Sequence, residues 1–199
     1  MGRFTKVGLP GGQVSIDHTF IPGALANRLF QVIREETPWI QHEIEMFGRH
    51  HPVPRLSCWM GDEGAVYTYS KLRLEPIPWS RPVARILERV HEVQPVRFNA
   101  VLLNLYRDGR DGMGMHADDE PELGDAPVIA SVSLGSARRF VFKPKRRSAP
   151  AVELDLSHGS LLMMSGDTQT NWLHGIPKTR RQVGERLNLT FRNVEVEDH

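Results

Sequence analysis

Three side chains with metal-ligating chemistry stand out. His116 and Asp118 lie two residues apart in M-H-A-D at 115–118, and His174 follows late in the chain. In an extended segment, residues i and i+2 point to the same face, so His116 and Asp118 can reach one ion together. Two imidazoles and one carboxylate on one face of an ion leave three positions open, which is the arrangement of non-haem Fe(II) oxygenases. The same donors also suit a hydrolytic zinc, and an isolated H-x-D is a weak signal among nine histidines. The strand R-L-N-L-T-F-R at 186–192 adds weight to iron. Alternation places Arg186, Asn188, Thr190 and Arg192 on one face and Leu187, Leu189 and Phe191 on the other. Two inward arginines are costly unless paired. A dicarboxylate is their natural partner, because guanidinium grips carboxylate as a fork.

The elements that must position these residues are legible as periodicity. Residues 23–36 and 81–93 carry apolar residues at helical spacing, with Pro38 closing the first and Pro82 in the first turn of the second. Residues 47–64 read as loop, rich in His, Pro and Gly. From 96 onward the texture changes to short strand-like runs at 97–106, 128–135, 138–142, 151–156, 159–164, 171–176 and 185–192. Such spacing predicts a mainly β fold, a jelly roll with flanking helices. The expected layout is one domain: an N-terminal extension with helices over 1–95, packed on a β core over 96–194.

The 199 residues, 40% hydrophobic, are enough for a sizeable core. No apolar run approaches the roughly 20 residues that span a bilayer. One cysteine, Cys58, excludes an intramolecular disulfide, and the reading is a cytoplasmic, reducing setting without membrane attachment. The net charge of +1 is uninformative, but charge is clustered. Residues 138–147 carry Arg138, Arg139, Lys143, Lys145, Arg146 and Arg147 with no acid, and 178–181 read K-T-R-R; acids gather at 117–125. A basic run is by itself read as solvated surface.

N-L-Y at 104–106, H-A-D-D-E at 116–120, S-V-S-L-G at 131–135, H-G-S-L-L-M-M at 158–164, H-G-I-P at 174–177 and R-L-N-L-T-F-R at 186–192 together resemble the AlkB-type 2-oxoglutarate/Fe(II) dioxygenases, the enzymes of oxidative alkylation repair. The resemblance is strong from about 97 to 193 and extends into 47–79. It implies a double-stranded β-helix that uses Fe(II), 2-oxoglutarate and O2, with His116, Asp118 and His174 as iron ligands. It implies that Arg186 pairs with the distal carboxylate of 2-oxoglutarate and that Asn104, Tyr106, Asn188 and Arg192 are its other polar contacts.

The resemblance also implies a substrate: N-methylated bases of the 1-methyladenine and 3-methylcytosine type in DNA, demethylated with release of formaldehyde, succinate and CO2. A methyl on the Watson–Crick edge is reached only by flipping the base out of the duplex. Tyr67 and Tyr69, in G-A-V-Y-T-Y-S at 64–70, match the aromatic positions of a nucleotide-recognition lid; they equally fit one face of a core strand. Phe47 matches a finger residue wedged into the duplex, and Arg55 is a second candidate beside the opened pair. Asp119 and Glu120 form an acidic rim suited to a cationic methylated base. Lys143, Lys145, Arg146 and Arg147 would contact phosphates without reading sequence. No obligate protein partner is evident and a monomer is expected. The rival readings are the same chemistry on RNA or a protein side chain, and a non-catalytic jelly-roll binding module.

Overall fold

The computed structural model describes residues 4–46, 48–69, 72–146 and 149–196, without the side chains of Met46 and Tyr69. The chain runs β1 (Thr5–Val7), β2 (Gln13–Asp17), α1 (Gly23–Glu36), β3 (Glu43–Met46), β4 (Arg49–Pro52), β5 (Leu56–Gly61), β6 (Tyr67–Tyr69), β7 (Leu72–Leu74), α2 (Arg81–Val93), β8 (Ala100–Tyr106), β9 (Met113–His116), β10 (Ile129–Gly135), β11 (Arg138–Pro144), β12 (Val152–Leu156), β13 (Ser160–Ser165), the single-turn α3 (Thr168–Asn171), β14 (Trp172–Ile176) and β15 (Arg186–Arg192). A seven-stranded sheet, ordered β1-β2-β13-β10-β15-β8-β5, faces a four-stranded sheet, β12-β11-β14-β9. This is the two-sheet jelly roll that the strand spacing predicts.

Both helices fall where the periodicity puts them. Helix α1 buries Ala26, Leu29 and Ile33 at spacings of three and four, and α2 buries Val83, Ile86 and Val90 in the same manner. These faces join Leu103, Val132, Leu161, Leu189 and Phe191 of the large sheet in the main hydrophobic core. A second core, with Phe140, Phe142, Leu162 and Trp172, fills the space between the sheets.

Residues 47–64, read as loop from the sequence, contain two strands. β4 pairs with β3, and β5 pairs with β8 along its full length. The His and Pro residues that suggested a loop flank L-S-C-W-M-G, whose residues are buried almost throughout. A strand covered on both faces shows no alternation, so period-two reasoning misses it. Its last residue is glycine for a steric reason: a Cβ on Gly61 would sit 2.8 Å from the carbonyl oxygen of Asn99. The N-terminal third thus contributes β1, β2 and β5 to the same sheet that carries β8 and β15.

Candidate active site

Strands β9 and β14 bring the two histidines together. His116 and His174 are direct cross-strand partners, and the register shifts between His174 and Ile176. Gly175 sits at that irregularity, where a Cβ would lie 2.9 Å from the carbonyl oxygens of Met113 and Gly114. Glycine is what lets the strands approach closely enough for the imidazole centroids to stand 4.4 Å apart. Asp118 follows β9 by two residues, as the H-x-D spacing predicts. One ligand atom from each of His116, Asp118 and His174 lies within 4.8 Å of the others.

Each of the three is held from outside. His116 Nδ1 lies 2.9 Å from the Gly114 carbonyl oxygen, so Nδ1–H donates to that carbonyl and Nε2 is left with a lone pair for a metal. The His174 ring stacks on Phe140 at 5.4 Å and meets the edge of Phe142 at 6.1 Å. Burial pushes the His174 imidazole down to about 3, with the neighbouring His116 adding to the effect, so it is neutral at neutral pH and able to ligate. Asp118 is 1% exposed. Its Oδ1 accepts a 2.7 Å hydrogen bond from Arg192 Nη2, and its backbone N–H donates to Gln169 Oε1 at 3.0 Å. Burial alone would raise its carboxyl; the Arg192 guanidinium holds it well below the usual carboxylate range instead. Its Oδ2 is buried, lacks a hydrogen-bond donor, and stands 3.6 Å from His174 Nε2. A buried anionic oxygen flanked by two neutral imidazoles calls for a cation, and the donor set fits a divalent metal with open positions.

Strand β15 supplies the second half of the site. Arg186 pairs across the sheet with Tyr106, and Asn188 with Asn104. Arg186 is 0% exposed. Its Nη2 donates to Ser133 Oγ at 2.9 Å, while Nε and Nη1 are buried without partners. Burial lowers its pKa to about 10, still far above neutrality, so it is a desolvated cation with two idle donors. Such a group has the chemistry to receive a carboxylate. Asn104, Tyr106, Asn188 and Arg192 line one cleft with His116, Asp118 and His174.

The pattern of the 2OG-Fe(II) oxygenase superfamily matches residues 13–192. The chain belongs to that family. Within it the chain is of the AlkB type. It is 42% identical to the mouse DNA oxidative demethylase ALKBH2 over 192 residues, covering 91% of this chain and 80% of that protein. It is 37% identical to the human alpha-ketoglutarate-dependent dioxygenase alkB homolog 3 over 184 residues, covering 88% of this chain and 64% of that one. Among solved structures, that titled "The structure of OsALKBH1" superposes with a TM-score of 0.61 at 16% identity, covering 96% of this chain and 99% of that one, which supports the fold. The protein is therefore an Fe(II)- and 2-oxoglutarate-dependent oxygenase.

Around the His116–Asp118–His174 cluster of this AlkB-type oxygenase, the sequence-predicted substrate residues fall into distinct settings. Tyr67 is 0% exposed and stacks on Trp59 at 4.9 Å and 19°, within a core that includes Leu102 and Leu123. In this conformation it is the core-strand aromatic that the sequence also allowed. The Arg192 guanidinium lies 5.4 Å from its ring, and burial pushes the pKa of its hydroxyl up. Glu120 is partly buried, which raises its carboxyl. Asp119 is exposed and pairs with Lys145 at 2.7 Å. Lys143 and Arg146 are exposed on the β11 side. Arg55, expected beside an opened base pair, is buried and donates from Nε to Asn104 Oδ1 at 2.8 Å. Phe47 and Arg147 lie outside the described residues, as does the side chain of Tyr69.

Two buried residues behind the site, Gln169 and Arg138, escape the sequence analysis. Gln169 holds the Asp118 backbone across 51 positions; its place in a single-turn helix has no periodicity to read. Arg138 belongs to the basic run read as solvated surface, and it is 3% exposed. Strand alternation within R-R-F-V-F would have set Arg138 and Arg139 on opposite faces, but the surrounding cations obscure it. Among the described residues, no helix is long and apolar enough to cross a membrane.

Proposed function

We propose that this oxygenase removes N-alkyl groups oxidatively from nucleobases in DNA. The observation that supports it most is the cleft that gathers His116, Asp118 and His174 and whose wall residue Tyr106 pairs across the sheet with the buried, partly unpaired Arg186. The relatives named DNA oxidative demethylase give the substrate class.

In this reading His116, Asp118 and His174 hold the iron, and Arg186 takes the distal carboxylate of 2-oxoglutarate. Bound iron, 2-oxoglutarate and O2 would supply the oxidation of a methyl C–H bond: one oxygen atom of O2 ends in succinate as 2-oxoglutarate loses CO2, and the other becomes the hydroxyl on the methyl carbon. The chain does the rest. Arg192 fixes Oδ1 of Asp118, leaving Oδ2 directed at the imidazoles. Tyr106 and the Phe140–His174 stack wall the cleft with apolar surface, which excludes water. Asp119 and Glu120 place negative charge at the rim, where an N-methylated base carries its positive charge. Hydroxylation of the N-methyl gives a hemiaminal that collapses to formaldehyde and the restored base. Lys143, Lys145, Arg146 and Arg147 contact phosphates. Phe47 occupies the stack vacated by the flipped base, and Tyr69 flanks that base.

The test is formaldehyde release and loss of 14 mass units (~14, one CH2) from methylated oligonucleotides. Purified protein is supplied with Fe(II), ascorbate and 2-oxoglutarate. Matched single- and double-stranded DNA should be demethylated by the native protein and not by Asp118→Ala. Turnover on RNA alone would move the substrate class, and turnover by Asp118→Ala would discredit the ligand set.

A further inference from the structure

Arg138 opens β11 and is buried against the loops after β8 and β14 rather than displayed on the surface. Its guanidinium donates to three backbone carbonyls: Asp108 at 3.1 Å, Asp111 at 2.9 Å and Pro177 at 3.0 Å. The first two belong to the loop after β8 and the third to the loop after β14, so one side chain fastens both loops. Among the described residues, no carboxylate lies within ion-pair distance of it. The nearby Asp111 carboxylate is taken by Arg107, at 2.8 and 3.0 Å.

Arg138 also shares an aromatic ring with Arg186. Their guanidinium carbons lie 5.9 and 5.1 Å from the Tyr106 ring centroid. Two buried cations on one ring, one of them with idle donors, repel each other, and Arg138 contributes to lowering the pKa of Arg186. Such an arrangement is costly unless an anion enters. Carbonyl oxygens and a ring face satisfy Arg138's geometry but leave its charge uncompensated.

We propose that Arg138 is a positioning and specificity-determining residue for the 2-oxoglutarate diacid: it clamps the Tyr106 wall and the two loops behind it, and adds a second positive charge for the distal carboxylate. This rests on the reading that Arg186 binds that carboxylate. The clamp sets the depth of the pocket and so the length of diacid it accepts.

The experiment is calorimetric titration of 2-oxoglutarate into the Mn(II)-loaded protein, with oxaloacetate and 2-oxoadipate as shorter and longer diacids. In Arg138→Met the Kd for 2-oxoglutarate rises about ten-fold, equivalent to about 1.4 kcal/mol, and discrimination against 2-oxoadipate narrows. Mn(II) affinity is unchanged. Arg138→Lys, which keeps a charge and loses the planar fork, is intermediate. Arg139→Met, which removes an exposed partner of Glu153, behaves as the native protein. A folded Arg138→Met with a Kd within about two-fold of native overturns the proposal; if that variant does not fold, a native Kd in Arg138→Lys does so. Arg186→Met separates the two claims. Native affinity there sinks the carboxylate reading itself, whereas weak binding there with native binding in the Arg138 variants sinks only the clamp.

Discussion

Arg192 and Asp118 form an ion pair of 2.7 Å between side chains 3% and 1% exposed, and the second carboxylate oxygen is left facing His174. One residue thus both neutralises a candidate metal ligand and aims it. Removing one partner of a buried pair strands the other charge, at a cost of about 3–5 kcal/mol. Arg192→Met should lose about that much stability in the metal-free protein, read by urea unfolding. With Mn(II) bound, the loss should shrink, because the ion takes over as the counter-charge. An equal loss with and without metal would mean that Asp118 does not face the ion.

Arg186→Lys keeps the charge but presents a point cation instead of a fork. The 2-oxoglutarate concentration for half-maximal turnover should rise by about one to two orders of magnitude, corresponding to about 1.4–2.8 kcal/mol, with iron affinity unchanged. Steady-state kinetics against 2-oxoglutarate would show it; an unaltered KM would place the diacid elsewhere.

Stability of the metal-free protein should depend on pH with a definite sign. His174 is buried neutral, and its folded value of about 3 lies below the ordinary imidazole value of 6.5. Between those values the unfolded chain binds the extra proton, so stability is full above about pH 6.5 and falls as pH drops toward 3. Asp118, held below its ordinary 3.8, continues the loss at lower pH. Thermal unfolding from pH 7.5 to 4.5 should therefore show a falling Tm. His174→Gln should flatten the slope over this window; an unchanged slope would refute this assignment.

Lys145 and Asp119 meet at 2.7 Å on partly exposed side chains. Pairs of this kind contribute about 0–1 kcal/mol. Lys145→Ala should therefore change stability by less than about 1 kcal/mol, yet flatten the salt dependence of oligonucleotide binding by about one unit of slope if the lysine contacts a phosphate. Fluorescence anisotropy at several salt concentrations measures this. An unchanged slope would leave Lys145 as a partner of Asp119 alone.

Much of this architecture was legible in the chain. Alternation in 186–192 assigned Arg186, Asn188 and Arg192 to one face, and helical spacing gave α1 and α2 at their observed bounds. H-x-D at a strand end gave two of the metal-cluster residues, and the third stands on the partner strand. What escaped was set by tertiary packing. β5 is buried on both faces and carries no periodicity. Arg138 looks like its basic neighbours until the two loops that enclose it are placed. Arg55 and Asn104 meet across 49 residues, and nothing local in either segment announces the bond.

The first two strands matter beyond their own length. β2 completes β13 by pairing along Val14–Asp17, and Gln13 is fastened to Thr168 of α3, the same helical turn whose Gln169 grips the Asp118 backbone. The preceding bend adds two more ties, as the carbonyls of Pro10 and Gly11 accept from Trp172 and Asn171. A protease that nicked the chain after residue 17 would do two kinds of damage. It would lay bare the apolar β13 as a raw edge open to domain swapping and aggregation, and it would loosen the backbone behind Asp118 without touching His116, Asp118 or His174.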